Sequence, residues 1–287
     1  MTLVVLAAGR ATRYGGVKPL ASVGIGGEPV LDVLASDALA GGFERLILVI
    51  GPETGPALRY HVARTWPRQA AVEFALQETP RGTVDAVLAA AHLLDEGSPF
   101  GVANADDLPG ETGFSLLAEH LTSPGATNAT VCYRLRDSLL GDAPVTRGLC
   151  HVDGDGMLVA VDERRRVTPL PDGRVVSRDG GVPEELDPGQ LVSVNLWGFQ
   201  PDLLELLRTA IASSGGNEEV LLPEVVDQLL ATRRTGAARS TAVRVLRAPG
   251  RCIGVTHPGD VALVQAELAC EIGQGDRPAQ LWTSLTE

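Results

Sequence analysis

The segment at residues 6–20, LAAGRATRYGGVKPL, places cationic side chains on a glycine-rich turn directly after an apolar strand. Gly9 lets a phosphate approach the backbone, because glycine has no Cβ atom in the way. The free N–H groups of such a turn bind anions, while Arg13 adds a planar fork and Lys18 a compact charge. The spacing matches neither a Walker A loop nor a dinucleotide fingerprint. We interpret the segment as a phosphate-binding loop, with a solvated surface turn as the alternative.

A second polar stretch, QETPRGT at residues 77–83, also follows an apolar strand. The side chain of Gln77 can offer both a donor and an acceptor to the edge of a base. Gly82, at the start of the next helix, leaves room for a flat ring. The stretch therefore indicates a base-binding site, although a strand-to-helix turn often contains proline and glycine for structural reasons alone.

A third polar stretch holds two adjacent carboxylates, Asp106 and Asp107, at the end of the strand FGVAN. Neighbouring carboxylates repel each other unless a cation or a proton intervenes. A Mg²⁺ site needs only one or two carboxylates in addition to substrate phosphates. We predict that Asp106 binds a metal and that Asp107, pointing the other way, is structural. The alternative is that one of the two only caps the next helix.

The elements that position these stretches follow from the alternation of strand and helix patterns. In the first half, short apolar runs alternate with amphipathic stretches, which indicates βαβ units and a parallel sheet. Because parallel strands end at the same edge, the three polar stretches should meet there. From about residue 129 we predict a hairpin with the turn VDGDGM, two helices, a strand pair (STAVRVL with CIGVTH) and a terminal helix. Residues 164–190, rich in Pro, Gly and charge, are predicted to form an exposed excursion.

Composition and charge exclude several classes of protein. The 287 residues, 44% of them hydrophobic, suit a single α/β domain with a second lobe. A formal net charge of −12 argues against a nucleic-acid partner. No stretch approaches the roughly 20 apolar residues needed to span a bilayer, and the first apolar run is too short for a secretory signal. We expect a cytoplasmic protein with no membrane partner.

At the three polar stretches the sequence resembles the sugar-1-phosphate nucleotidylyltransferase superfamily. LAAGRATRYGGVKPL is similar to the superfamily's signature, QETPRG resembles its base-recognition segment, and VANAD resembles its metal-binding strand. RGLCHVDGDGMLVAVDER resembles the hairpin of glucose-1-phosphate thymidylyltransferases, and VSVNLWGF resembles a strand with a sugar-contacting Asn. The closing segments are similar to those of an uncharacterised bacterial branch, so the resemblance covers essentially the whole chain.

This resemblance implies a Rossmann-like fold of the GT-A type: a mixed, mainly parallel sheet with helices on both faces and a smaller sugar-binding lobe. Within one domain, residues 1–128 would bind nucleotide, residues 129–257 would bind the sugar phosphate, and residues 258–287 would form a C-terminal helix. The implied reaction joins a nucleoside triphosphate to a sugar-1-phosphate, or a similar phosphorylated small molecule, with Mg²⁺ as cofactor and pyrophosphate as the second product. A homo-oligomer is also considered, with residues 164–190 as a candidate interface.

The resemblance also implies roles for individual residues. Arg13 would steady the β- and γ-phosphates, Lys18 would bridge the phosphates of both substrates, and Asp106 would hold the metal. The nucleotide site would comprise Leu6, Ala8, Gly9, Gln77, Gly82, Thr83 and Asn104. The acceptor site would comprise Gly148, Glu163, Arg164 and Asn195.

One departure from the superfamily pattern concerns the second metal ligand. Thymidylyltransferases carry a second metal-binding Asp near the end of the chain, and this position falls on Gly254 here. The second ligand is therefore open among Asp107, Thr256, His257, Asp260 and a water molecule.

Two other functions compete with this interpretation. A GT-A glycosyltransferase shares the nucleotide fold and the acidic strand end, but it does not need a glycine loop with Arg13 and Lys18. A non-catalytic sensor of nucleotides or sugar phosphates would explain the missing second Asp. Pyrophosphate release from a triphosphate separates the transferase from both.

Overall fold

The computed structural model describes residues 1–9, 15–215, 219–233 and 241–285. Arg13, predicted in the phosphate-binding loop, lies outside the described residues. In chain order the strands are β1 (Thr2–Leu6), β2 (Arg45–Ile50), β3 (Ala71–Leu76), β4 (Phe100–Asn104), β5 (Asp107–Leu108), β6 (Asn128–Arg134), β7 (Val145–Val152), β8 (Leu158–Pro169), β9 (Val175–Ser177), β10 (Glu184–Leu186), β11 (Leu191–Phe199), β12 (Val243–Arg247) and β13 (Ile253–Gly254). The α-helices are α1 (Val30–Ala40), α2 (Gly55–Thr65), α3 (Thr83–Ala90), α4 (Gly110–Thr122), α5 (Leu203–Ser213), α6 (Leu222–Arg233) and α7 (Asp260–Gln274).

The centre of the main sheet is parallel, in the order β4, β1, β2 and β3. β11 lies antiparallel to β4, and its other edge pairs with β6, which in turn pairs in parallel with β12. The far end of β11 pairs with β7, from which β8, β9 and β10 extend as antiparallel strands. The predicted fold class, an α/β mixed sheet with a parallel centre, is confirmed.

Helices cover both faces of the sheet, because successive strand residues point to opposite sides. In β1, Leu3 and Val5 pack into one apolar cluster, while Val4 between them packs into the other. The first cluster is covered by α1, α2, α4 and α7, and the second by α3, α5 and α6. A third, smaller cluster, which includes Leu149 and Val192, lies in the lobe built on β7 to β10.

The strand register brings the polar loops to one edge of the sheet. Leu6, the last residue of β1, lies beside Asn104, the last residue of β4, and beside Val49 of β2. The segments that follow β1 and β4 therefore leave the sheet side by side. This edge is where open α/β sheets bind their ligands.

Two expectations for the second half need correction. STAVRVL and CIGVTH are not paired with each other: β12 pairs with β6, and β13 is a two-residue strand that pairs with β5. Apolar periodicity identifies strands but carries no information about which strand each one joins. Residues 164–190 are exposed in large part, yet they are not an irregular excursion, because they contain the end of β8 together with β9 and β10.

Candidate active site

An ion pair joins the loops that follow β1 and β4. The ammonium of Lys18 donates to Oδ2 of Asp106, and both side chains are largely shielded from solvent. Lys18 begins a short 3-10 turn in which Pro19 is buried, and this turn holds the side chain at the sheet edge. A small cavity of about 160 Å³ is lined by both residues and by Leu6, Ala7, Gly9, Pro19 and Ala105. The phosphate-binding and metal-binding candidates therefore share one pocket.

The lysine of this pair is the only lysine in the chain; the other 23 of the 24 basic residues are arginines. Ion pairs elsewhere in the described structure are thus formed by arginine, histidine or the N-terminal amine. An ammonium is a compact point charge, whereas a guanidinium is a planar fork. The use of lysine at position 18 fits a site that needs a small cation.

Asp107 lies beside this pair in a more buried environment. Nδ2 of Asn104, at the end of β4, donates a hydrogen bond to Oδ2 of Asp107 over 2.9 Å. Burial, and secondarily the negative charge of Asp106, raise the pKa of Asp107 to about 6. Asp107 is therefore close to both the metal candidate and the cation, although its side chain is held by a structural partner.

The segment around β13 lies directly against the two carboxylates. Gly254 pairs with Asp107, and the N–H of Val255 donates to the carbonyl oxygen of Asp106. A Cβ atom on Gly254 would lie 2.5 Å from Oδ1 of Asp107 and 2.7 Å from that carbonyl oxygen. The Asp107 carboxylate thus occupies the space that a side chain at position 254 would need.

The other candidates for the second metal ligand are Thr256, His257 and Asp260, which lie at or just before the start of α7. Asp260 is buried, and its Oδ2 accepts the backbone N–H groups of Thr256 and His257, each over 2.7 Å. Nε2 of His257 is buried and has no hydrogen-bond partner in the described structure. Asp107 is the candidate whose carboxylate lies directly against Gly254.

The predicted base-binding residues form a hydrogen-bonded turn. Nε2 of Gln77 donates to the carbonyl oxygen of Gly82 over 3.1 Å and to Oδ2 of Asp85 over 2.9 Å. Arg81 forms an ion pair with the other oxygen of Asp85. Both donors of the Gln77 amide are thereby used, so its Oε1 is the atom that can still pair with a ligand. This network, centred on Asp85, was not expected from the sequence.

Gly82 and Thr83 also meet structural demands. Gly82 has φ = 91°, and a Cβ atom there would lie 2.4 Å from the carbonyl oxygen of Val220. The hydroxyl of Thr83 accepts the N–H of Leu222 over 2.7 Å. These contacts join the turn to the start of α6. Ala8, another nucleotide-site candidate, is buried in the apolar cluster beneath α3, α5 and α6.

The four acceptor-site candidates lie on β7, β8 and β11. Gly148 pairs with Glu163 across the hairpin and with Ser193 on β11, so the predicted hairpin brings Gly148 and Glu163 together. Asn195 adopts a left-handed conformation, with φ = 58°, at the irregularity in β11. Its Oδ1 accepts the indole N–H of Trp197 over 3.2 Å.

Arg164 differs from the free cation that phosphate binding requires. Its guanidinium forms ion pairs with Asp162 over 2.9 Å and with Glu184 over 3.3 Å, while its Nε is buried without a partner. Glu163 is likewise paired, with Arg165 over 3.1 Å. A phosphate would have to displace these carboxylates to reach Arg164.

A cation that the sequence analysis missed, Arg147, lies across the hairpin from Arg164. Its guanidinium is anchored by Ser138, donating to the hydroxyl over 3.1 Å and to the carbonyl oxygen over 2.6 Å. No carboxylate in the described part of the chain forms an ion pair with it, and its charge acts to lower the pKa of Asp107. The only sequence signal was its position immediately before Gly148.

Comparison with protein families identifies a nucleotidyltransferase. A family model described as the MobA-like NTP transferase domain matches residues 3–243, and the chain belongs to this family. This assignment supports the transferase over the glycosyltransferase and the sensor. Among the described residues, no helix has the length and the apolar character to cross a membrane.

Individual relatives are distant. The chain is 28% identical to the bifunctional protein GlmU of Sorangium cellulosum over 276 residues, which is 93% of this chain and 52% of that protein. It is 24% identical to GlmU of Aquifex aeolicus, over 96% of this chain and 54% of that protein. The chain thus spans about half the length of these curated relatives.

Solved structures of similar fold include an inositol-1-phosphate CTP transferase from T. maritima. It has a TM-score of 0.65 and 13% identity, with 96% of each chain covered. HddC from Yersinia pseudotuberculosis, solved in complex with GMP-PN, has a TM-score of 0.62 and 16% identity, covering 93% of this chain and 98% of that one. At these identities the likeness concerns the fold.

Proposed function

We propose that this nucleotidyltransferase joins a nucleoside triphosphate to a sugar-1-phosphate, or to a similar phosphorylated small molecule. An oxygen of the acceptor phosphate attacks the α-phosphorus in line with the bond to the β-phosphate, which breaks and releases pyrophosphate. The observation that carries the proposal is the pairing of Lys18 with Asp106 beside Gly9, at the edge where parallel strands end. This chemistry depends on positioning and charge more than on a general acid or base.

In this proposal Lys18 exchanges its partner during the reaction. In the free protein its ammonium is neutralised by Asp106. Phosphate oxygens of the incoming triphosphate compete for the same ammonium, which then bridges the nucleotide and the acceptor. Gly9 and Leu6 line the cavity where the nucleotide enters, and Oε1 of Gln77 is the acceptor left for the base.

The residues at this edge fit Mg²⁺, which requires one or two carboxylates and takes its remaining ligands from phosphates and water. Asp106 would hold the ion, and Asp107 is the second carboxylate within reach, in place of a side chain at Gly254. When bound, the ion supplies positive charge next to the α-phosphate. Within the described ranges, no three His, Cys, Asp or Glu side chains are grouped so that they could hold a metal ion. A site with one or two carboxylates would take its remaining ligands from the substrate phosphates and from water.

On the acceptor side we propose that residues 129–257 bind the sugar phosphate, while residues 1–128 bind the nucleotide. Glu163 and Asn195 would contact hydroxyl groups. Gly148 lies between them on a crowded strand, where a Cβ atom would come within 2.9 Å of Cγ1 of Val161. Arg147 and Arg164, neighbours across the hairpin, would contact the phosphate.

A pyrophosphate-release screen tests this function directly. Four or five nucleoside triphosphates are combined with a panel of sugar-1-phosphates and a cyclitol phosphate, with and without Mg²⁺. We expect release only when a triphosphate, an acceptor and Mg²⁺ are all present. Release of nucleoside diphosphate from a nucleotide sugar, without pyrophosphate chemistry, would instead identify a glycosyltransferase.

The single lysine allows a second test that does not depend on finding the acceptor. Pyridoxal 5′-phosphate combines an aldehyde with a phosphate, and borohydride fixes its imine with an amine. We expect mass spectrometry to find the label on Lys18 and on the N-terminal amine of Met1. The amine of Met1 pairs with Glu44 and does not line the cavity beside Lys18, so it serves as the internal reference. A nucleoside triphosphate should protect Lys18 and leave Met1 labelled; equal labelling with and without nucleotide would contradict the assignment.

A further inference from the structure

A cavity larger than the one beside Lys18 lies between β6, β12 and the ends of β7 and β11. We call it the β6–β12 cavity. Its volume is about 720 Å³, and it is lined in part by Arg134, Cys150, His151, Gln190 and Arg247. None of the residues assigned above to the nucleotide, the acceptor or the metal lines it. Its volume falls within the range of roughly 300–1,000 Å³ that small-molecule sites occupy.

The two arginines of this cavity project from the same face of paired strands. Arg247 on β12 lies beside Cys132 on β6, and Arg134 is two residues further along β6. Residues two apart on a strand share a face, so both guanidinium groups lie on the side of Cys132. Sγ of Cys132 is in turn 3.5 Å from Sγ of Cys150 on β7, and Cys150 lines the cavity.

The guanidinium groups of Arg134 and Arg247 form no hydrogen bond and no ion pair with any described residue. This contrasts with Arg45, Arg81 and Arg277, which all pair with carboxylates. In a chain with a formal net charge of −12, carboxylate partners are abundant. Two unpaired guanidinium groups in one cavity therefore form a local positive site on an acidic protein.

The remaining polar groups of the cavity are compatible with an anion that also carries hydroxyl groups. Asp187 offsets one positive charge, but its Oδ1 is turned towards the N–H of Gly189, which it accepts over 2.8 Å. Nε2 of Gln190 donates to the carbonyl oxygen of Cys150 over 2.7 Å, which fixes the amide at the cavity wall. The exposed ring of His151 adds a further polar group at the rim.

We propose that the β6–β12 cavity is a second ligand site, which binds a phosphorylated small molecule of about the size of a sugar phosphate. Arg134 and Arg247 contact the phosphate, because guanidinium groups match phosphate oxygens in bidentate geometry. The polar wall at Gln190 and Asp187 contacts hydroxyl groups. The cavity's lining residues differ from the individual residues proposed for nucleotidyl transfer, and the proposal does not depend on the identity of that reaction.

Equilibrium binding measured by calorimetry tests this site, with glucose 6-phosphate as the probe and glucose as its uncharged counterpart. The variant Arg134→Gln/Arg247→Gln should bind glucose 6-phosphate at least about tenfold more weakly than the unchanged protein, since it loses two charge-assisted contacts. Glucose should not bind measurably. Raising the salt concentration to about 0.5 M should weaken phosphate binding, because partly exposed charges are screened.

Two control variants separate this site from the active site and from a general charge effect. Lys18→Ala should retain the binding, because Lys18 lies in a different cavity. Arg68→Gln/Arg178→Gln removes the same charge at positions outside the cavity and should also retain it, and thermal unfolding checks that all variants fold. Three results would each overturn the proposal. The first is unchanged binding by Arg134→Gln/Arg247→Gln, and the second is an equal loss of binding in Arg68→Gln/Arg178→Gln. The third is no binding by the unchanged protein at about 10 mM glucose 6-phosphate, a concentration above the Kd of even a weak, roughly millimolar site.

Discussion

The ammonium of Lys18 donates to the carboxylate of Asp106, across 88 residues of sequence, and joins the loop after β1 to the loop after β4. This pair neutralises both the phosphate-binding candidate and the metal-binding candidate. In the proposed function, substrate binding must separate these two groups. The affinity for a triphosphate would then reflect this competition as well as the direct contacts.

Replacement of this lysine should affect the reaction far more than the fold. A contact between unit charges at about 4 Å with an effective dielectric constant near 20 is worth roughly 4 kcal/mol. If most of this arises in the transition state, Lys18→Ala loses on the order of 10²–10³ in kcat/KM. Steady-state pyrophosphate release measures the loss, and circular dichroism checks the fold. Lys18→Arg keeps the charge but changes its shape; if Lys18→Ala retained normal turnover, Lys18 would have no part in the reaction.

Gly254 should tolerate no side chain, because the Asp107 carboxylate fills the space next to it. We expect Gly254→Ala to lose about 1–3 kcal/mol of unfolding free energy, as overpacked sites do, or to displace Asp106 and lower turnover. Gly259→Ala is the matched control, since a Cβ atom there meets nothing within 4 Å, and it should change stability by less than about 0.5 kcal/mol. Urea unfolding and pyrophosphate release report the two effects. Normal stability together with normal turnover for Gly254→Ala would show that Asp107 does not occupy this space.

Arg147 should contribute to acceptor binding. Its guanidinium is anchored by Ser138 and lies across the hairpin from Arg164, whose own charge is shared between two carboxylates. We expect Arg147→Met to raise the KM for the acceptor by about tenfold, the worth of one lost charge-assisted contact, with little change in the KM for the triphosphate. Arg174→Met, at an exposed ion pair of the same lobe, should change neither constant. A parallel rise in both KM values for Arg147→Met would indicate a structural role instead.

The ion pair between Arg277 and Asp37 should make stability depend on pH. Nη1 of Arg277 lies 2.6 Å from Oδ1 of Asp37, and both side chains are buried. Burial raises the pKa of Asp37 from its usual 3.8 to about 6, even though Arg277 lowers it. The native state therefore binds a proton more readily than the unfolded chain, and this group costs stability as the pH rises from about 4 to 6.

Removal of Arg277 should enlarge this cost. Arg277→Met leaves Asp37 without its cation, so it should destabilise the protein by about 3 kcal/mol at pH 8. At pH 5 the loss should be smaller, because Asp37 is then protonated in the folded state. Urea unfolding at both values measures the difference, with Arg208→Met, at an exposed pair with Glu205, as the control. An equal loss at pH 5 and pH 8 would contradict the role of Asp37.

Much of the fold was predictable because it depends on local patterns. The alternation of apolar runs and amphipathic stretches identifies β1 to β4 and the helices between them, and parallel strands necessarily end at one edge. The hairpin turn at VDGDGM follows from Asp and Gly in sequence, and it brings Gly148 opposite Glu163. The pairing partners of β12 and β13 were not predictable, since an apolar strand has the same pattern whichever neighbour it joins.

The sequence by itself determined the class of site: a glycine turn with Lys18 after one strand and Asp106 after another, which the register of parallel strands brings to one edge. Only the tertiary structure decided how their neighbours are arranged. It placed Asp107 against Gly254, anchored Arg147 beside Arg164, tied Gln77 to Asp85 and gathered Arg134 with Arg247 in a second cavity. These relationships join residues from separate segments, and they depend on packing distances of a few ångströms that no local pattern of residue types encodes.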